Sequence, residues 1–87
     1  MKNNFLNTNN MERIREVLKN YGITQKELAE KLGISPVSLH QRLKNPTLSS
    51  LKEIAENIPC NIHELIEAGN DHAHFYENGT WYGIRKK

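Results

Sequence analysis

Residues 24–44 read TQKELAEKLGISPVSLHQRLK, and this stretch decides the fold. It predicts two short helices joined by a tight turn. Thr24 and Glu27 have capping-box spacing: the threonine side chain accepts from the Glu27 N–H, and the glutamate reaches back to the Thr24 N–H. Leu28, Ala29 and Leu32 then form one apolar stripe. Gly33 stands where a left-handed residue closes a helix, and Ile34 is a lone apolar plug in the turn. Ser35 caps the second helix and Pro36 takes its first position, where a missing N–H and a fixed φ cost nothing. Leu39 and Leu43 give this second helix a thin buried edge. Its other residues, Val37, Ser38, His40, Gln41, Arg42 and Lys44, form a polar and basic surface with little reason to be buried.

A helix with a narrow apolar edge, held against a short partner by a glycine turn, is a helix-turn-helix. In that motif the second helix lies in the DNA major groove and its N-terminal residues meet base edges. The stretch resembles the helix-turn-helix of the lambda-repressor-like transcription regulators (Cro and phage-repressor, XRE-type). Gly22-Ile23-Thr24-Gln25, Leu28-Ala29, Leu32-Gly33-Ile34-Ser35 and Leu39 carry the resemblance, and Asn45-Pro46-Thr47-Leu48, Leu51 and Ile54-Ala55 continue it. It covers about residues 11–68. The loop after the second helix is about one residue shorter than the usual family form.

Working outward, residues 1–10 contain five asparagines and read as a flexible N-terminal arm. Met11 to Asn20 predicts a helix, with Ile14, Val17, Leu18 and Tyr21 on one buried face and Arg13, Arg15, Glu16 and Lys19 outside. Pro46 disfavours helical backbone at Asn45, so the helix over residues 36–44 ends by Lys44. Thr47 or Ser49 caps a fourth helix carrying Leu51, Ile54, Ala55 and Ile58, which Pro59 ends. Asn61-Ile62-His63-Glu64 reads as another capping box, opening a short fifth helix with Ile62, Leu65 and Ile66 inward and Gly69 as its stop. After Asn70 the period changes. His74 to Glu77 and Thr80 to Arg85 read as strands around an Asn78-Gly79 type I′ turn. An isolated hairpin is marginal in water, so this one is expected to pack on the helices or to join another chain.

The expected fold is therefore all-α: a five-helix lambda-repressor-like domain over residues 11–69, with a C-terminal β-hairpin over residues 70–87 as a dimerisation element. Residues 1–50 hold eight Lys or Arg and four Glu, whereas residues 51–80 hold one Lys and six acids. The positive half contains the helix-turn-helix, as attraction to phosphates requires. One cysteine rules out an internal disulfide framework. The chain carries no long apolar run or signal-like segment, so a cytoplasmic protein without a membrane partner is expected.

The resemblance implies which side chains meet DNA. The base-reading positions are Pro36, Val37 and Gln41, flanked by Ser38 and His40. Gln41 suits a bidentate pair with adenine and Val37 a thymine methyl. Pro36 replaces a polar residue common at its position and offers apolar contact only. Gln25 matches the position that binds a backbone phosphate at the start of the preceding helix. Arg42, Lys44 and Asn45 are placed for phosphates on the far side, Arg42 with its stem packed and its head reaching out.

Other chemistry is weaker. Cys60, His63, His72 and His74 have zinc-like spacing, but nothing in the sequence draws them together. Cys60 could be a low-pKa thiol near a helix start, or simply inert. No phosphate-cradling glycine loop or nucleophile elbow argues for an enzyme. Neither a cofactor nor a small-molecule ligand is evident. The expected function is a homodimeric regulator of double-stranded DNA, a prokaryotic or phage repressor. The alternative is a protein-interaction module on the same fold, such as an antitoxin or bridging factor.

Overall fold

The computed structural model describes residues 8–87. The expected N-terminal arm lies outside the described residues as far as residue 7. Its last three residues belong to α1, which spans Thr8–Tyr21 rather than starting at Met11. A long-range bond accounts for the earlier start: the buried Asn10 side chain accepts from the Glu67 N–H at 2.8 Å. Three further helices follow, α2 (Gln25–Leu32), α3 (Pro36–Lys44) and α4 (Leu48–Asn57).

Local chemistry sets their ends. At α2 the capping box is complete. Glu27 N donates to the Thr24 hydroxyl at 3.1 Å, and Thr24 N donates to the Glu27 carboxylate at 2.9 Å. These Thr24 hydrogen bonds hold the Glu27 carboxyl below its usual pKa. Gly33 closes α2 at φ 72°, and Ile34 N donates back to the Ala29 carbonyl at 3.0 Å. Only glycine adopts that left-handed backbone without steric cost. Ser35 caps α3 by accepting from Ser38 N at 3.1 Å. Thr47, not Ser49, caps α4, in a reciprocal box with Ser50.

All four helices share one core. Ile14, Val17 and Leu18 from α1 meet Leu28 and Ala29, Leu39 and Leu43, and Leu51, Ile54 and Ala55, each at most 4% exposed. Ile58 and Leu65 complete it. Truncating one such leucine to alanine costs about 2–5 kcal/mol, so Leu39 and Leu43 suffice to clamp the narrow edge of α3. Tyr21, expected on the buried face of α1, is instead 42% exposed. Arg13, expected outside, is 8% exposed.

The fifth α-helix does not form. Ile62–Leu65 is a single 3₁₀ turn, and Ile66 is already extended at φ −99°, ψ 133°. The described residues therefore hold four α-helices, not five. Distant side chains take over the hydrogen bonds that further helical turns would supply. Arg13 Nε donates to the Glu64 carbonyl at 2.8 Å, and His74 Nε2 donates to the Ile66 carbonyl at 2.7 Å. With Asn10 on the Glu67 N–H, these backbone groups are satisfied without a helix. Asn61 does cap the turn, accepting from His63 N at 2.8 Å. Glu64, read as the returning half of a capping box, turns into the interior instead.

β1 (His72–Glu77) and β2 (Thr80–Lys86) pair antiparallel. Asn78 and Gly79 turn the chain with φ of 53° and 79°, both left-handed as a type I′ turn demands. Phe75 pairs with Gly83 and Tyr76 with Trp81, so Tyr82 is the extra residue of a bulge. The hairpin docks on the bundle, which meets the requirement that so small a sheet find support.

Candidate nucleic-acid interface

α3 is fixed from below by Leu39 and Leu43 and presents everything else outward. Pro36, Val37, Ser38, His40, Gln41 and Lys44 are all exposed, as is Asn45 just beyond the helix. Val37 is 71% exposed, an apolar side chain in water at the start of a helix. The side chains of His40, Gln41 and Lys44 make no hydrogen bond among the described residues. Ser38 is partly engaged: its hydroxyl accepts from Ser35 at 3.1 Å and keeps its own proton to donate. Gln25 lies exposed at the first position of α2, beside N–H groups that the helix itself cannot pair.

Arg42 departs from expectation. Its guanidinium is engaged within the protein, donating to the Glu53 carboxylate of α4 at 2.8 Å. The sequence reading missed Glu53. The two residues are eleven apart, on different helices, and only the packing of α3 on α4 brings them together. The pair is half-exposed, so it contributes little to stability. It does set an acid against the one arginine of α3.

A second cluster, also missed, lies where the hairpin meets the bundle. The buried Glu64 carboxylate accepts from the Tyr21 hydroxyl at 2.9 Å and from the Tyr76 hydroxyl at 2.7 Å. Arg13 donates to Tyr76 Oη at 2.6 Å and to Glu16 at 3.1 Å. Burial and the hydrogen bond to Glu64 raise the Tyr21 phenol to about 12. The same two causes, in the same order, raise Tyr76. His74 joins the docking: its Nδ1 accepts from the Trp81 indole N–H at 2.9 Å while Nε2 serves Ile66. An indole only donates and a carbonyl only accepts, so this imidazole is held neutral with its proton on Nε2. Burial, then the Arg13 charge, lowers its pKa accordingly.

The same surroundings decide the remaining candidates. Burial and the nearby Glu64 push the Cys60 thiol up to about 12, the reverse of an activated cysteine. His63 bonds to Asn61 and His74 to Trp81 and Ile66. No group of three or more His, Cys, Asp or Glu able to hold a metal ion occurs among the described residues. No helix among them is long and apolar enough to cross a membrane.

Two helices joined by a glycine turn, the second clamped by two leucines and bare on its outer face, define a helix-turn-helix protein of the DNA-binding class. A family model described as helix-turn-helix matches residues 14–65, more than half of the chain. The chain belongs to that family, of the XRE and lambda-repressor-like type. It is a family of DNA-binding regulators that is generally non-enzymatic. The match stops at Leu65, so the hairpin lies beyond it. No curated protein and no solved structure matches the chain.

Proposed function

We propose that the protein is a sequence-specific repressor that places α3 in the major groove of double-stranded DNA. The observation that carries this reading is the outer face of α3, where Val37 and Gln41 stand exposed on a rigidly clamped helix. Gln41 reads an adenine and Val37 a thymine methyl. Pro36, Ser38 and His40 flank them, while Gln25, Lys44 and Asn45 hold phosphates. Arg42 reaches a phosphate only by leaving Glu53.

The protein acts in the cytoplasm as a homodimer on a two-fold operator with half-sites about 34 Å apart. One such small domain reads too few bases for useful discrimination, and two double it. Residues 11–69 form the DNA-binding unit and residues 70–87 the dimerisation element. Among the described residues both outer strand edges of the hairpin are unpaired, and β2 carries exposed Tyr82 and Ile84. A second strand pair on such an edge supplies main-chain hydrogen bonds between subunits.

Selection of bound duplexes from a random pool, followed by titration of the selected site at several salt concentrations, tests this reading. Binding should weaken steeply with salt. Gln41→Ala should lose about 1–3 kcal/mol at one base position and leave the salt slope unchanged. If no sequence is enriched and Gln41→Ala binds like the parent, the repressor reading fails. Protein-partner binding that survives Gln41→Ala would then favour an antitoxin or bridging role.

A further inference from the structure

A groove of about 910 Å³ opens between the hairpin and the bundle, within the size range of small-ligand sites. Tyr21, Tyr76, Trp81 and Tyr82 line it, with Asn61 and Glu64 among its polar members. No Lys or Arg among the described residues lines it. Two of its rings are markedly solvent-exposed, Tyr21 at 42% and Tyr82 at 59%.

The charge of this site is unbalanced. The Glu64 carboxylate is 1% exposed, and both its hydrogen bonds come from neutral tyrosine hydroxyls. The nearest cation, Arg13, does not bond to that carboxylate. Its guanidinium is divided among Tyr76 Oη, the Glu64 carbonyl and the carboxylate of Glu16. Arg13 and Glu16 line the opposite side of Tyr76, and among the described residues lining this groove Glu64 is the only charged one. Such surroundings repel anions. They attract a cation through the aromatic walls and the buried charge, although one ring, Tyr76, already carries Arg13 over it at 5.7 Å.

We propose that this groove binds a small organic cation, a quaternary or protonated amine seated against the tyrosine and tryptophan rings with Glu64 beneath them. The site belongs to the tertiary fold alone. Tyr21 comes from the end of α1, Glu64 from the 3₁₀ turn and the other rings from the hairpin, so it exists only while the hairpin is docked. It makes no use of α3, so base reading by that helix does not bear on it, although Tyr82 is shared with the proposed dimer edge.

Trp81 is the only tryptophan in the chain, so its fluorescence reports directly on the groove. The full-length protein is titrated with choline and, separately, with 3,3-dimethylbutan-1-ol, an uncharged molecule of nearly the same shape. Choline should change the Trp81 emission saturably and bind about tenfold or more tightly than the alcohol. Tyr82→Ala, at an exposed position, should abolish the choline response, and Glu64→Gln should remove the preference for charge. The proposal is overturned by the absence of a saturable choline response, by equal binding of the alcohol, or by an undiminished response in Tyr82→Ala. Circular dichroism establishes that each variant is folded. Should Glu64→Gln unfold, the isostere comparison and Tyr82→Ala still decide the matter.

Discussion

The outer face of α3 and the junction between hairpin and bundle are built on opposite plans. On α3 two leucines hold the helix and the outward side chains touch almost nothing. At the junction Tyr21, Glu64, Tyr76, Arg13, His74 and Trp81 all have their polar atoms engaged, by residues up to 63 positions apart in sequence. The first arrangement leaves hydrogen-bonding groups free for a partner outside the chain. The second uses them up inside. Substitutions on α3 should therefore alter binding and spare stability, and substitutions at the junction should do the reverse.

The sharpest way to break that contrast is Glu64→Ala. It strips the acceptor from the Tyr21 and Tyr76 hydroxyls at a buried site, while Arg13 keeps Glu16 as its salt-bridge partner. We expect a loss of about 3 kcal/mol in urea unfolding. A loss below about 0.5 kcal/mol, the size of an ordinary surface change, would show that the junction does not hold the hairpin. Gly33→Ala comes next. The added Cβ meets no neighbour, but the residue must keep φ 72°, which costs about 1–2 kcal/mol. Thermal unfolding measures this cost, and a neutral result would mean that the turn before α3 relaxes freely.

A smaller effect should come from His74. Its folded pKa lies below the ordinary 6.5, so as pH falls the unfolded chain takes up the proton first. The neutral imidazole therefore favours the folded state fully above pH 6.5, and that advantage declines as pH drops toward the lower folded value. Stability measured across this range should fall with acidification in the parent. It should fall less in His74→Gln, which does not titrate. Equal slopes would remove the imidazole from the docking mechanism.

The smallest change expected in stability, a few tenths of a kcal/mol, is that of Glu53→Gln, because the Arg42–Glu53 pair is half-exposed. Its effect on binding is more informative. Released from Glu53, Arg42 gains a phosphate contact, and the salt slope on DNA should steepen by about 0.9. An unchanged slope would show that Arg42 does not face the backbone.

The same contrast explains what could be read from the chain. Thr24 with Glu27, Gly33, Ser35 with Pro36 and Asn78-Gly79 act within a few residues of themselves, and each performs the role its type and spacing announce. Glu64 does not. Asn61 and Glu64 have capping-box spacing whether the carboxylate turns back or inward, and only the presence of Tyr21 and Tyr76 decides between the two. Arg13 sits beside the buried stripe of α1, and its long side chain reaches inward because Glu64 and Tyr76 wait there. Nothing near Arg42 in sequence announces Glu53.

What the sequence by itself determined was the order of the four helices and the hairpin, the caps of α2 and α3, the Asn78-Gly79 turn, and the buried edges of α2, α3 and α4, because those follow from forces acting over one or two turns of chain. The tertiary structure alone decided that the fifth helix gives way to a 3₁₀ turn, that Arg42 is paired, and that four aromatic rings and a buried acid share one groove. Those outcomes depend on partners between 8 and 63 residues away, and no local pattern encodes a contact that exists only once the core has closed.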